Sequence, residues 1–440
     1  MNSKFEFRIF LLGVINLSLE FETFLAEDYC LRVADGTHDS PKEVEFGKKL
    51  VTSKNIIGGK LDLEKSYFIS LEDFNEVNKR SKVDQWDILI SMIGTVGEVA
   101  LIKEKPDFAI KNVGLLKNND EYAAKWLYYY LKSDLGQYQI KSRLRGTTQL
   151  YIPLKDLRKL EIEVPKNREE LIKIVKILDN IDLEIENCLM INHNLISQIE
   201  AIYYSWFVYY DDYSIEELEE CEIGLKPKEW DLLSLGEVTT KIKDKVGKNN
   251  YKVFSAVNKG NLQLSEEYFD KQVFSKDIGK YIIVKQKEFA YNPARINIGS
   301  IGRNDFNFDG CVSPVYVAFK VEKGYENFMN LFIKSSRFNQ WVNTLSSGSV
   351  RQTLNYEDFS IIKIAYPPLE LVEKFNTIYE SYYELIHYNE TLIEKLQSIR
   401  DILLPKLMSG EIDVSEINCD LKLIIRKFIF KIISYLEDLI

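Results

Sequence analysis

The sequence has few of the residues that build metal sites and disulfide frameworks. Only three histidines occur among its 440 residues, and no two cysteines are spaced as CxxC. Zinc sites and disulfide-rich folds need such side chains at short, regular spacing. We therefore expect no bound metal, no cofactor and a reducing cytoplasm as the location of the protein. The five scattered cysteines are Cys30, Cys188, Cys221, Cys311 and Cys419.

Long hydrophobic runs are also lacking. No apolar stretch approaches the roughly 20 residues that cross a bilayer, so we expect no association with a membrane. The N-terminal segment FRIFLLGVINLSL, residues 7–19, has no small-residue cleavage site, and the basic residues at this end of the chain are only Lys4 and Arg8. We interpret it as a strand or helix of the fold rather than as a targeting segment.

Motifs for catalysis are missing as well. The sequence has no phosphate loop of the form GxxxxGK[ST], so an ATP-driven motor is excluded. An adenine methyltransferase needs Asn/Asp-Pro-Pro-aromatic, and NPAR at 292–295 lacks the second proline and the aromatic residue. PDFAIK at 106–111 begins like a nuclease motif but lacks the Asp/Glu-x-Lys that should follow. We expect a chain without catalytic residues.

One basic, hydroxyl-rich segment contrasts with a formal net charge of −10. Overall acidity does not favour nucleic-acid binding, but only the local field at a contact surface matters. In KSRLRGTTQLYIP, residues 141–153, three cations can reach phosphates, and the polar residues after them can bond phosphates or base edges. The alternative is a plain connection to the next helix, with solvated arginines. The candidates are Lys141, Arg143, Arg145, Thr147, Thr148 and Gln149.

The chain repeats itself. WLYYYLKSD at 126–134 matches FMNLFIKSS at 328–336, and the same offset of 202 residues pairs Gly146 with Gly348. IGTVG at 93–97 matches IGSIG at 298–302 at an offset of 205. Two diverged halves with small insertions explain these offsets. The second copy of the basic segment, NTLSSGSVRQTLNY at 343–356, adds the candidates Ser349, Arg351, Gln352 and Thr353.

Each half ends in a long heptad pattern. The first seam runs from Leu171 to Trp206 and the second from Phe375 to Leu403, and each contains one asparagine, Asn192 or Asn389. A spacing of 3.5 residues is typical of coiled coils, and a buried asparagine fixes their register. Helices related by a twofold axis would run antiparallel. We predict an α+β fold: two β-rich globular domains separated by two long antiparallel coiled-coil helices, in a pseudo-twofold tandem repeat.

The predicted layout has six parts. The first half has a β-rich recognition domain at 1–165, a spacer helix at 166–208 and an acidic linker at 209–229. The second half has a recognition domain at 230–367, a spacer helix at 368–412 and a tail at 413–440.

The segment NPARINIGSIGR in the second half offers further polar candidates. Arg295, Asn297, Ser300 and Arg303 face DNA if the segment lies at the binding surface, and otherwise they belong to an ordinary hairpin. Both interpretations stay open. His38, in DGTH, fits a turn residue that bonds its own backbone better than a DNA contact.

The arrangement resembles the specificity subunit of type I restriction–modification systems. The resemblance rests on DGTHDSP, WDILIS leading to GTVGEV, RGTTQLYIP, WDLLSLGEV, CVSPVYVAF and IRDILLPKLMSGEIDV, in order across two repeats from about residue 24 to about residue 414. The first half has no clear counterpart of WDLLSLGEV. The tail after residue 418 has none in the family.

The resemblance implies a non-catalytic DNA-binding subunit. Each domain would read one half of a split target in double-stranded DNA, with the helices as spacer. Methyltransferase subunits would dock on the helices, and restriction subunits would bind through them. The first alternative is a coiled-coil scaffold whose β-rich domains bind proteins. The second is a self-sufficient restriction or methylation enzyme, which the missing motifs disfavour.

Overall fold

The computed structural model describes residues 19–257, 260–269, 274–345 and 353–414. The chain divides into two compact units, one of which takes residues from both ends of the sequence. The first unit comprises the chain through Cys188 together with the chain from Thr391, and the second comprises Leu189–Glu390. Cys419, the tail and nearly all of the segment 7–19 lie outside the described residues. Among the helices in these ranges, none is both long and apolar enough to cross a membrane.

The first unit is built on a four-stranded sheet in the order β2-β10-β7-β8, with all neighbours antiparallel. The run WDILIS supplies β7, whose four residues are all buried. A second sheet, β6-β3-β9, contains the parallel pair β3 and β9. The strands are β1 (Phe21–Leu25), β2 (Arg32–Asp35), β3 (Lys48–Val51), β4 (Ile56–Ile57), β5 (Lys60–Leu61), β6 (Tyr67–Ile69), β7 (Ile88–Ser91), β8 (Val99–Leu101), β9 (Phe108–Ile110), β10 (Val113–Lys117) and β11 (Glu161–Pro165).

The second unit uses the same plan. Its main sheet has the order β15-β22-β19-β20, and its second sheet, β17-β16-β21-β18, also contains one parallel pair. The acidic segment predicted as a linker forms the hairpin β12–β13. The strands are β12 (Leu218–Cys221), β13 (Gly224–Pro227), β14 (Asp231–Ser234), β15 (Thr239–Ile242), β16 (Lys252–Val257), β17 (Asn261–Leu264), β18 (Ile282–Val284), β19 (Phe289–Tyr291), β20 (Ile301–Arg303), β21 (Gly310–Val312), β22 (Val317–Val321) and β23 (Lys363–Tyr366).

Short helices cover these sheets in both units. Ser133 begins the helix after WLYYYLK by accepting a hydrogen bond from Gly136 N at 3.2 Å, and Ser335 does the same for Phe338 N at 3.2 Å. The short helices are α1 (Ala26–Tyr29), α2 (Leu71–Ser81), α3 (Glu121–Lys132), α4 (Asp134–Lys141), α5 (Leu154–Arg158), α7 (Leu235–Val238), α8 (Ser265–Tyr268), α9 (Glu326–Phe332), α10 (Ser336–Leu345) and α11 (Tyr356–Ser360).

The opening of the first unit, which the sequence motifs did not reveal, is β1 followed by α1. Strand β1 pairs with β11, and β14 pairs with β23 in the second unit. Ala26 N donates to Leu160 O at 2.8 Å, and Leu235 N donates to Ile362 O at the same distance. FETFLAEDY therefore takes the structural place of WDLLSLGEV without sharing its sequence.

Two long helices, α6 (Arg168–Tyr204, 37 residues) and α12 (Leu369–Met408, 40 residues), contribute residues to both units. In the first unit the seam of α6 lies in one hydrophobic cluster with the C-terminal part of α12. In the second unit the aromatic rings of Tyr203 and Phe375 lie 6.3 Å apart. Leu385 does not follow the predicted seam: it is 52% exposed, and its neighbour Ile386 is buried instead.

The two seam asparagines meet in the second unit. Asn389 Nδ2 donates to Asn192 Oδ1 at 2.7 Å, and Asn192 Nδ2 lies 3.4 Å from Ile386 O. Since Asn192 and Tyr203 on α6 contact Asn389 and Phe375 on α12, the helices are antiparallel there. Asn192 is buried, so the pair satisfies polar groups that the apolar seam could not. Its role in fixing the register stays a prediction.

We predict that the asparagine pair behaves as a coupled unit. Asn192→Leu or Asn389→Leu alone should lower the free energy of unfolding by about 1–3 kcal/mol, because the remaining amide loses its partner in a buried site. The double leucine variant should recover much of this loss. A double-mutant cycle in urea measures the coupling, and additive losses would show that the hydrogen bond contributes nothing.

The described cysteines differ in burial. Burial raises the pKa of the Cys30 thiol to about 12 and that of Cys311 to about 11. Cys221 is half-exposed, in the β12–β13 hairpin. In a Cys419→Ser background, iodoacetamide at about pH 8 should modify Cys221 first, since the thiolate is the nucleophile. Mass spectrometry of the folded chain checks this order, and early labelling of Cys30 would contradict the burial described here.

Candidate nucleic-acid interface

The segment singled out by its charge forms a closed, exposed loop in the first unit. Arg145 N donates to Tyr151 O at 2.8 Å and Tyr151 N donates to Arg145 O at 2.9 Å, which closes residues 145–151. Thr147, Thr148 and Gln149, between these ends, are exposed. The loop therefore presents two hydroxyls and an amide to solvent on a backbone fixed at both ends. We call residues 145–151 the polar loop.

Gly146 sets the shape of the polar loop. Its φ of 92° lies in the left-handed region, and a Cβ at this position would lie 2.3 Å from Gln149 O. A side chain here would meet backbone rather than a movable side chain. Only glycine fits both requirements.

A second glycine-containing motif, IGTVG at 93–97, is hydrogen-bonded to the polar loop. Gly94 N, in IGTVG, donates to Leu150 O at 3.2 Å, and Ile152 N donates to Met92 O at 3.0 Å. Gln137 Nε2 donates to Gly97 O at 3.0 Å and holds the far end of IGTVG. Two motifs about 50 residues apart in sequence thus form one surface. The sequence indicated each motif, but not that they pack together.

The three predicted cations have different surroundings. Arg145 is 53% exposed and pairs through Nη2 with Asp156 Oδ2 at 2.9 Å. Arg143 is half-buried and donates to Gln139 O at 2.9 Å and to Lys159 O at 3.3 Å. Lys141, the last residue of α4, is exposed. Arg143 therefore holds the turn after α4 together, whereas Lys141 and Arg145 extend into solvent.

The second unit has an equivalent contact between its two motifs. Leu354 N donates to Pro293 O at 3.0 Å. Leu354 lies 202 positions after Ile152, and Pro293 lies just after β19 as Met92 lies just after β7. Arg295 is exposed, and Asn297 is half-buried in the short 3₁₀ helix Ile296–Ile298. Thr353 is exposed, whereas Ser349, Arg351 and Gln352 lie outside the described residues.

Two of the predicted candidates are buried in the second unit. Arg303 is 5% exposed; its Nη1 donates to Asn327 Oδ1 at 2.6 Å and its Nη2 to Tyr379 O–H at 3.2 Å. Ser300 is 3% exposed and donates to Ala256 O at 2.6 Å. Both side chains hold parts of the protein together, so we do not include them in the candidate DNA surface. The arginine was singled out by its type, and only its packing reveals this role.

The residues placed at the surface offer hydrogen bonds and positive charge rather than a reaction centre. Within the described ranges, no group of three His, Cys, Asp or Glu side chains is placed to hold a metal ion. Hydroxyls, an amide and cations on a fixed loop suit contacts with phosphates and base edges.

Comparison with known proteins gives concordant matches. Residues 41–201 match the family model described as Type I restriction modification DNA specificity domain. The chain is 25% identical over 354 residues to the MjaIX type I restriction enzyme specificity subunit of Methanocaldococcus jannaschii, with 75% of this chain and 78% of that protein covered. It is 21% identical over 408 residues to the putative MjaX specificity subunit of the same organism, with 87% and 91% covered.

A solved structure matches over most of the chain. The S subunit of a type I restriction–modification system from M. genitalium has a TM-score of 0.51 and 17% sequence identity. The match covers 89% of this chain and 97% of that chain. At this identity the likeness concerns the fold, and it agrees with the α+β class predicted from the sequence.

We predict that Gly146→Ala distorts the polar loop. A left-handed conformation costs a residue with a Cβ about 1–3 kcal/mol, and here the Cβ also meets a carbonyl oxygen. Gly58→Ala is the matched control, because Gly58 has a φ of 58° but open space around its Cβ position. Amide hydrogen exchange at Arg145 and Tyr151 should rise in Gly146→Ala only. Equal exchange in both variants would show that the close approach is unimportant.

Proposed function

Because this chain belongs to the specificity subunits of type I restriction–modification systems, we propose that it selects the DNA sequence for such a complex. The chain itself carries out no reaction, and methylation and cleavage come from partner subunits. The observation that supports the assignment best is the polar loop of the first unit. Its exposed hydroxyls and amide stand on a backbone closed by two hydrogen bonds, beside exposed Arg145.

Two recognition domains, one in each unit, would read the two halves of a split target. The shared strand order of the main sheets and the equivalent contacts at Met92 and Pro293 support a tandem repeat with pseudo-twofold symmetry. Two half-sites require two similar readers at a fixed separation. The candidate readers are Thr147, Thr148 and Gln149 in the first unit and Arg295, Asn297 and Thr353 in the second.

The long helices would act as a coiled-coil spacer. The antiparallel contacts of the second unit and the hydrogen bond between Asn192 and Asn389 support this role. A rigid pair of helices keeps two readers at a set distance, and a polar pair in the seam selects one register. The length of the DNA between the half-sites would follow from that register.

The modification subunits would dock on the exposed faces of the helices. On the second unit's helix segments, apolar side chains remain open to solvent, including Met190 at 62%, Leu385 at 52% and Tyr388 at 56%. An apolar face of this kind suits a subunit interface. Restriction subunits would then join through the modification subunits. A cytoplasmic location, inferred from the scattered thiols, remains part of the proposal.

The competing scaffold hypothesis predicts a different response to charge reversal. If the β-rich domains bind proteins instead of DNA, Arg145→Glu should leave partner binding and DNA behaviour unchanged. If they read DNA, the complex should lose DNA affinity.

A self-sufficient enzyme would methylate or cleave DNA without any partner, which incubation of the isolated chain with methyl donor and magnesium would reveal.

We predict that Thr147→Ala/Thr148→Ala/Gln149→Ala alters recognition of one half-site only. Each lost base contact should weaken discrimination by about 1–3 kcal/mol, or roughly tenfold to a hundredfold. Genome-wide methylation mapping in cells that carry the modification subunits measures this. Gln85→Ala, an exposed residue that bonds Lys103 O, is the control and should leave the pattern unchanged. An identical methylation pattern in the triple variant would remove the polar loop from base recognition.

A further inference from the structure

Cations of the first unit lie near the free edge of β2, and one of them, Arg145, also belongs to the polar loop. Strand β2 lies at the end of the sheet order β2-β10-β7-β8, so one side of its backbone has no strand partner in that sheet. Three elements supply the cations: helix α2, the polar loop and helix α5. Only the polar loop and helix α5 are close to each other in sequence. No sequence pattern indicated that these side chains lie near one another.

The carboxylate of Asp35, the last residue of β2, holds the first of these cations. Its side chain is 8% exposed, and its Oδ1 accepts from Arg80 Nη2 at 2.6 Å. The Arg80 side chain is 56% exposed. The same carboxylate lies 3.1 Å from Nε2 of His38, which is 65% exposed. A nearly buried acid thus anchors exposed nitrogen donors, so that the outer surface carries the positive charge.

Helix α5 repeats this arrangement. Asp156, with 16% exposure, anchors Arg145, with 53% exposure. Two residues further on, Arg158 is exposed and its Nε donates to Val33 O on the free edge of β2 at 3.2 Å. Lys155 is exposed on the same helix. Arg80 and Arg158 thus bond residues of β2, whereas Arg145 and Lys155 lie at helix α5, which packs against that strand. We call Arg80, Arg145, Lys155 and Arg158 the edge strip.

The second unit places cations at the equivalent edge by different means. Its edge strand is β15, in the order β15-β22-β19-β20. Lys241 in β15 has its Nζ 5.3 Å from the ring centroid of Tyr356, and Lys243 and Lys245 just after the strand are exposed, with exposed Asp244 between them.

These lysines do not occupy the positions that correspond to the cations of the first unit. The residues of the second unit that lie 202 positions after Lys155 and Arg158 are Glu357 and Ser360. Helix α11 therefore does not have the positive charges of α5, and lysines lie in and after the neighbouring edge strand instead. The two units therefore have cations near the equivalent edge strand, but at different positions.

We propose that the edge strip binds the phosphate backbone of the DNA whose bases the polar loop reads. This inference rests on the proposed function. Guanidinium groups bind phosphates through paired N–H donors, and backbone contacts position a protein on the duplex without reading its sequence. Arg145 belongs to both surfaces, so the strip continues the polar loop rather than forming a separate site. The lysines at β15 do the same for the second half-site.

The test compares Arg80→Gln/Lys155→Gln/Arg158→Gln with the wild-type chain, each assembled with its modification subunits. Dissociation constants are measured for a duplex with the target and for one without it, from about 50 to about 200 mM salt. Affinity should fall by a similar factor for both duplexes. The slope of log K against log salt should become shallower by about 0.9 for each lost contact, or about 2–3 in all. The methylated sequence should not change.

The control is Lys103→Gln/Lys166→Gln/Arg168→Gln, which removes the same charge elsewhere in the first unit. These three side chains are exposed and pair with Glu186, Glu20 and Asp120, respectively. Lys243→Gln/Lys245→Gln tests the second unit and should act like the strip variant.

Three results would overturn the inference. If the strip variant keeps the affinity and salt slope of the control while wild type shows sequence preference, the strip fails and the proposed function stands. If the strip variant no longer assembles with its modification subunits, while the chain alone binds DNA as the wild-type chain alone does, the cations serve an acidic protein partner. If the wild-type complex binds neither duplex, the proposed function and the strip fail together.

Discussion

Burial of the long-helix seams against the β-rich part is the interaction on which each unit depends. In the first unit, Ile174 and Leu178 of α6 and Leu396 of α12 lie in the same hydrophobic cluster as Trp126 and Tyr130 of α3. The helices are thus part of the core of the domain, and neither part has enough apolar partners alone. Helices packed this way cannot rotate freely against the β-rich part, because any rotation would expose the shared core.

Polar contacts also join the β-rich part to a long helix in each unit. The polar groups that make these contacts differ between the two units. Lys125 bonds Asp179 on α6 at 2.8 Å and Glu121 at 2.7 Å. At the corresponding place in the second unit, Asn327 Nδ2 donates to Asn376 Oδ1 on α12 at 3.0 Å. An ion pair and an amide pair are not interchangeable partners. The two units therefore hold the β-rich part on a long helix with different polar groups.

Periodicity predicted the long helices and the α+β class, because a 3.5-residue apolar repeat and β-branched runs are local signals. The opening element of the first unit escaped prediction, since β1 is defined by its pairing with β11 and not by its own sequence. The sequence left the role of Arg303 open between a DNA contact and an ordinary hairpin, and its contacts with Asn327 and Tyr379 could not be predicted from residue type. Leu385 was misplaced because the seam of α12 departs from a strict heptad at Ile386.

The discontinuity of the first unit has a consequence for biosynthesis. Its core includes Ile393, Leu396, Ile399 and Leu407, which leave the ribosome about 200 residues after the rest of that core. At about 5–20 residues per second, the first unit waits roughly 10–40 seconds for its last helix, while the second unit is completed in one continuous stretch. During that interval the apolar seam of α6 has no native partner from α12. The nascent chain is therefore most vulnerable to aggregation or chaperone capture in the half that was synthesised first.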